Sequence, residues 1–367
     1  MRLHYSAFKT NGLRMSADIK IVKLTQKQIS EFLIFYKRSF PKKCDIVERF
    51  ENLTLKNPFC IGSTDLPVLL AIDTTGNIVG QFPLMPSIYH HDGESYPCVI
   101  GYDYYVDPKL RGCGVGTKLA ESAFADFGTY FGIGPSDLGR HMHAKQGLRL
   151  AGTSRTWLWL CRPHALVRLL AERLHIHKSK KTSHCNLQAL CPETITFKNG
   201  KFVKTPRPSN WVHLVLDPNV IEFDRTSRFI NWRYGFFSDR YMLYESNIEN
   251  KQCYFAATTY WRNRLHILSI IDYRSMDYTT PWFQSILAAG KCLSRILHSD
   301  ALQVVSSYPM FDNILRMRGF FRVGKPGQIW TNATLFSQDM YPTDHHIFLT
   351  LADGDGELNN HYEVGTH

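Results

Sequence analysis

With 367 residues, 44% of them apolar and 13% aromatic, the chain holds enough apolar material for two ordinary cores. No apolar run approaches the ~20 residues of a membrane-spanning helix and the N-terminus lacks the order of a signal peptide, so a cytoplasmic location is expected. Nine irregularly spaced cysteines point to reduced thiols, and a net charge of +11 favours an anionic ligand, which a phosphate-bearing cofactor, nucleic acid or anionic lipid would all satisfy.

Residues 1–17 show no periodicity, contain a second methionine, Met15, and read as a flexible leader. Ile19–Leu24 predicts a strand, Thr25-x-x-Gln28 a capping box, and Ile29, Leu33, Tyr36 and Phe40 recur at helical spacing up to Pro41. Asp45–Leu55 predicts a second short helix. Val68–Asp73 and Ile78–Pro83 flank Thr-Thr-Gly-Asn, a hairpin signal. A strand over Cys98–Val106 leads through Asp107-Pro108 to a glycine-rich stretch and a helix from Thr117 to about Phe131. A short strand near Ile133, a helix ending at Gly147-Leu148 and a strand over Ser154–Cys161 follow.

From Arg162 to Pro208, basic residues, histidines and a Pro-Arg-Pro predict a linker with one amphipathic helix, Ala165–Leu174. The order then repeats: a helix at Phe229–Tyr234, strands at Tyr241–Glu245, Cys253–Thr259 and Leu265–Asp272, a helix at Trp282–Leu297, a strand at Leu302–Ser306, a helix to Arg318, then Gly319-Phe320 and a strand at Ile329–Phe336. Gly147 and Gly319 stand 172 positions apart and Val68 and Tyr241 stand 173 apart, nearly one period, as a duplicated domain requires. Beyond Lys325 there is no Lys or Arg, and Ala352–His367 reads as a disordered acidic tail. The expected division is a leader at 1–17, a domain at 18–162, a basic linker at 163–208, a second domain at 209–340 and a tail at 341–367.

Chemistry concentrates between Gly101 and Thr117. Arg111-x-x-Gly114-x-Gly116 joins a strand to a helix, and glycines at 112, 114 and 116 remove the side chains that would keep a pyrophosphate from the unpaired N–H groups of a helix N-terminus. Val106-Asp107-Pro108-x-x-Arg111-Gly112-x-Gly114-x-Gly116, with the later Lys145-Gln146-Gly147-Leu148, resembles the GNAT superfamily of N-acetyltransferases. The resemblance covers Ile19 to Cys161, with Leu148 where that family has Phe. It implies an α/β protein of two tandem GNAT-like domains, each a mixed β-sheet flanked by helices. It also implies a splay between the strand before the loop and its neighbour, a pantetheine arm lying in that splay, and direct attack of a primary amine on acetyl-CoA or another acyl-CoA. Tyr104, Val106, Arg111, Gly112, Cys113, Gly114, Val115, Gly116 and Thr117 then hold the co-substrate. The family's frequent general acid, a tyrosine four residues before the glycine of Tyr-x-x-x-Gly-Phe, maps to His143. The second half matches at Gly319-Phe320, but its loop position, Tyr273–Pro281, contains no glycine.

Strand alternation sends Asp103 and Tyr105 to the face opposite Tyr102 and Tyr104, which makes Asp103 and Tyr105 the other catalytic candidates. A Rossmann loop would need its glycines in the first strand–helix unit. His175, His177, His184, Cys185 and Cys191 fit no usual zinc spacing, so no metal is expected. Asn231-Trp232-Arg233-Tyr234 is either an acceptor pocket or the aromatic face of a core helix. Two other functions stay open: an acyl carrier protein as acyl donor, docked on basic surface, and a non-catalytic CoA- or nucleic-acid-binding module.

Overall fold

The computed structural model describes residues 18–43, 45–60, 66–167, 190–198, 200–206, 220–235, 240–248, 251–262, 265–275, 280–333 and 346–354. The first half begins with β1 (Lys20–Leu24) and α1 (Ile29–Ser39), joined through the expected Thr25–Gln28 capping box. Phe32, Phe35 and Tyr36 form the buried face of α1, which packs with Phe50 of α2 (Ile46–Phe50) on β2 (Leu66–Ile72). A π turn, Glu51–Leu55, continues α2. Next come β3 (Ile78–His91), β4 (Glu94–Gly101), β5 (Tyr105–Val106), α3 (Val115–Phe127), β6 (Tyr130–Ile133), α4 (Asp137–Lys145) and β7 (Arg149–Leu160). Helix α3 starts and stops earlier than its apolar spacing predicts. Left-handed glycines set both ends, Gly114 at φ +83 and Gly128 at φ +70.

Part of the expected linker is a hairpin, β8 (Thr194–Phe197) and β9 (Gly200–Lys204), which buries Ile195 and Phe202 and pairs with the sheet edge. The second half continues with β10 (Val220–Phe223), α5 (Ser227–Gly235), β11 (Met242–Ile248), β12 (Lys251–Arg262), β13 (Leu265–Ser275), α6 (Thr280–Ile296), β14 (Ala301–Ser306), α7 (Pro309–Met317) and β15 (Phe321–Thr331). A short β16 (His346–Phe348) and a buried turn, Leu351–Asp353, lie within the stretch read as an acidic tail. Among the described residues no helix is long and apolar enough to cross a membrane.

The fold is mixed α/β. Strands follow one another across a single sheet in the order β1-β2-β3-β4-β6-β15-β7-β14-β13-β12-β11-β9-β8. The β4–β6, β13–β14 and β10–β16 pairs are parallel and the other described pairs antiparallel. The halves interleave: β15 of the second half sits between β6 and β7, and β7 of the first between β15 and β14. Helix α3 covers one core with Leu119, Ala120 and Ala123, and α6 with α7 covers another through Phe283, Leu287 and Phe311. A third core draws Met85, Tyr102 and Phe131 from the first half and Phe223, Trp232 and Tyr254 from the second.

Cutting the chain after the first half strips β7 of both neighbours and exposes the 12 residues of that strand on two edges. A fragment of residues 18–162 is therefore expected to be insoluble or to unfold without a cooperative transition. A soluble fragment with a sharp melt by circular dichroism would contradict the interdependence.

Candidate active site

Strand β3 is long enough to hold both β4 and β5, but they do not form one strand. Pairing with β4 runs to Leu84–Gly101 and resumes with β5 at Gln81–Tyr105, so residues 102–104 bulge against only two residues of β3. At the centre of the bulge Asp103 adopts φ +43. The parallel β4–β6 ladder ends at the same level, at Gly101–Gly132. Beyond it β6 pairs with β15, while β5 among the described residues pairs with β3 alone. A gap opens between β5 and β6, and the uninterrupted strand expected over Cys98–Val106 does not exist.

Three side chains hold the kink. The Asp103 carboxylate is ion-paired with Lys43, accepts from the Tyr36 hydroxyl, and lies 3.0 Å from Arg49 Nε. Burial alone would push this carboxyl up, but Arg49 and then Lys43 hold it below its ordinary value. Burial, reinforced by Arg49, lowers the Lys43 ammonium to about 8 against the pull of Asp103. The left-handed residue also breaks the period of two: Tyr102 turns toward α2 with Asp103, its hydroxyl 2.8 Å from Thr54 Oγ1 and its ring 5.8 Å from the Arg49 guanidinium. Tyr105 packs edge-on against Phe35 and Phe40, at 6.0 and 5.5 Å between ring centroids.

The glycine loop follows β5. Gly112 and Gly114 take φ +81 and +83, and a Cβ at either would meet no atom within 4 Å, so the space before the loop is open. The first helical bond of α3 runs from Lys118 N to Gly114 O, which leaves the N–H groups of Val115, Gly116 and Thr117 without intrahelical acceptors. Lys109, Arg111, Cys113 and Lys118 are exposed around them, and Arg111 lies back along the loop with Nε donating to Val106 O at 3.2 Å. Gly116 differs from the expectation: the room its missing side chain leaves is taken by the Tyr104 hydroxyl, so this glycine seats Tyr104 against the helix.

Where the gap begins, the two paired glycines make room for aromatic groups. A Cβ on Gly101 would come within 2.6 Å of Tyr130 Oη, and one on Gly132 within 3.0 Å of both Tyr130 Oη and His143 Nε2. There the Tyr130 hydroxyl and His143 Nε2 are hydrogen-bonded at 3.0 Å, with Trp330 of β15 beside the imidazole at 6.1 Å. Burial lowers His143 to about 4 and raises Tyr130, so both groups are neutral at pH 7. The second half fixes Tyr130 from behind: Asn332 Oδ1 accepts from its N–H at 2.8 Å and Thr331 Oγ1 donates to its C=O at 2.7 Å. The motif count led to His143 but not to Tyr130, Lys43 or Arg49; the glycines at 101 and 132 were the available signal for the first.

The corresponding place in the second half is filled. Pairing of β13 with β14 ends at Ile270–Val304, and the Tyr273 hydroxyl bridges the opening to Val305 O at 2.9 Å. Strand β16 lies across it, with Leu349 N donating to Ser307 Oγ at 2.7 Å and the buried Phe348 ring 5.6 Å from Tyr273. In α5, Trp232, Arg233 and Tyr234 are buried: Trp232 donates to Asn52 O at 2.8 Å and Tyr234 to Asp272 at 2.8 Å, so the helix packs a core. His175, His177, His184 and Cys185 lie outside the described residues, among which no cluster of His, Cys, Asp or Glu could hold a metal.

No protein-family model and no curated protein sequence matches the chain. Solved structures do. A GCN5-related N-acetyltransferase from Anabaena variabilis aligns over 85% of this chain and 72% of its own at 15% identity, with a TM-score of 0.53. One from Kribbella flavida aligns over 86% and 71% at 12% identity with a TM-score of 0.50, and Saccharomyces cerevisiae N-myristoyltransferase with bound myristoyl-CoA over 86% and 79% at 12% and 0.50. The chain thus has the fold of the GCN5-related N-acetyltransferases.

Asp103→Asn leaves Lys43 and Arg49 buried beside a neutral group, at a cost of about 3–5 kcal/mol. Because the folded carboxyl titrates below its unfolded value of about 3.9, its contribution is present above that pH and lost as pH falls through the folded pKa. Chemical denaturation should therefore show a gap between wild type and variant at pH 7 that closes toward pH 3. A gap independent of pH would argue against the ion pairs.

Proposed function

We propose that the protein is an N-acyltransferase that moves an acetyl or other acyl group from acyl-CoA to a primary amine by direct attack. The observation that carries this reading is the gap between β5 and β6 with an unobstructed glycine turn and a helix N-terminus at its mouth. The pyrophosphate would rest on the N–H groups of Val115, Gly116 and Thr117, and Lys109, Arg111 and Lys118 would balance the phosphate charge. The pantetheine arm would lie along β5, bringing the thioester to the Gly101–Gly132 level.

Transfer forms the amide bond and breaks the thioester bond, so the amine must lose a proton and the departing thiolate gain one. We assign the second proton to the Tyr130–His143 pair. A group titrating at about 4 is protonated in only about one molecule in 1,000 at pH 7, so a cationic His143 is a poor donor. Tyr130 keeps its proton, and neutral His143 orients the hydroxyl and can share the charge. Asp103, already committed to two cations, maintains the kink, and Tyr105 lines the α1 side.

Titration calorimetry with CoA should give one site per chain, and Gly114→Val should weaken binding by at least about tenfold, because φ +83 is strained for a β-branched residue. Two equal sites, or unchanged affinity in the variant, would overturn the assignment.

Tyr130→Phe should lower kcat by ~10²–10⁴ with little change in the KM for acyl-CoA. Activity through a neutral His143 is lost as pH falls through about 4, whereas a cationic donor would lose it as pH rises through that value. A kcat that declines steadily between pH 5 and 7 would restore His143 as the acid.

A further inference from the structure

At the far end of β4 a second group of chemistry-bearing side chains meets, unconnected with the acyl-CoA gap. Strands β3 and β4 are joined by Asp92-Gly93, both left-handed at φ +51 and +77, a two-residue turn that places His90 directly opposite Ser95. Ser95 Oγ and His90 Nδ1 are 2.9 Å apart. Strand β10 pairs alongside, with Glu222 opposite His90, and the chain continues until Asp224 N donates to Ile88 O at 2.9 Å. This brings Asp224 Oδ1 to 3.2 Å from His90 Nε2. The carboxylate is oriented from its other side, since Oδ2 accepts from Thr226 Oγ1 at 2.7 Å and Thr226 N at 3.3 Å. Asp224 and His90 are 2% and 8% exposed, while Ser95 faces solvent.

We propose that Ser95, His90 and Asp224 form a second, nucleophilic site that cleaves activated esters through an acyl-serine. A hydroxyl on one ring nitrogen and a buried carboxylate on the other is the relation a nucleophile, its base and the base's orienting group require. The carboxylate favours the tautomer with its proton on Nε2, which leaves Nδ1 to take the serine proton. Ser95 Oγ attacks the ester carbonyl while that proton passes to Nδ1. Collapse breaks the bond to the leaving oxygen, which departs as the alcohol with the proton from Nδ1. Water repeats the sequence, and the sum is ester plus water giving acid plus alcohol. Ser95 lies six residues along β4 from Gly101, about 20 Å at 3.3 Å per residue, so neither site can serve the other's reacting atoms.

Incubating the full-length protein with a fluorophosphonate probe and mapping the adduct by peptide mass spectrometry tests the assignment. Stoichiometric phosphonylation of Ser95 is expected in the native protein. Ser95→Ala should remove it with no change in unfolding midpoint, and His90→Gln should slow labelling by ~10²-fold or more. Asp224→Asn should slow it less. p-Nitrophenyl acetate should release one equivalent of nitrophenolate in a burst that Ser95→Ala lacks. An unlabelled Ser95 in folded protein, or equal labelling rates in wild type and His90→Gln, would overturn the proposal, whatever the outcome for CoA binding.

Discussion

A left-handed aspartate inside a buried strand region costs about 1–3 kcal/mol of backbone strain, and it persists only where its surroundings over-determine it. Asp103 is held by Lys43, Arg49 and Tyr36, and removing a charge from such a buried set costs about 3–5 kcal/mol, more than the strain. The candidate site depends on this imbalance. Were residues 101–106 a regular strand, they would continue to pair with β6 and the sheet would close. With the kink fixed, β5 pairs with β3, Tyr104 reaches the N-terminus of α3, and Tyr105 turns to α1.

Strand exchange makes the second half part of the same site. Strand β15 stands where the sheet of the first half would otherwise have an edge, and its end supplies Thr331 and Asn332 to the backbone of Tyr130 and Trp330 to His143. Placement of the Tyr130–His143 pair therefore rests on residues some 200 positions away in sequence, as the 202-residue separation of Tyr130 and Asn332 shows. The interleaving also buries one core shared by both halves, so loosening one half is felt in the other.

Local signals carried much of the fold into the sequence. Apolar periodicity predicts α1, α3, α6 and most strands. The hairpin at β8 and β9 was readable in Thr-Ile-Thr-Phe-Lys-Asn-Gly-Lys-Phe-Val-Lys, an alternating pattern around Asn-Gly, but the basic residues around it suggested a linker. The acidic C-terminal stretch predicts a solvated tail, because acidic residues ordinarily mark exposure. Asp353 is instead buried against Arg225, where it acts as an internal counter-ion. At the site, the glycine loop was legible because it is contiguous. Asp103 was singled out for chemistry, whereas its φ, which breaks the alternation around it, depends on Lys43, Arg49 and Tyr36, and no local pattern encodes three partners from two helices and a loop.

The two halves show how a similar strand arrangement leaves function to a few residues. Each has a parallel strand pair that parts beyond its last rung. In the first the last rung is Gly101–Gly132, two residues without side chains, and a tyrosine and a histidine occupy the space they leave. In the second it is Ile270–Val304, both buried, and the Tyr273 hydroxyl closes the gap to Val305 O. The β16 segment then covers the opening. Arg225 anchors that segment from within, ion-paired with Asp272 and Asp353 and donating to Thr350 Oγ1 at 3.1 Å, with all three charged side chains fully buried. Pulling the segment away would part the Asp353 carboxylate from Arg225 and leave that guanidinium with Asp272 alone, so the second opening is closed by its own ion pairs while the first is held open by its own.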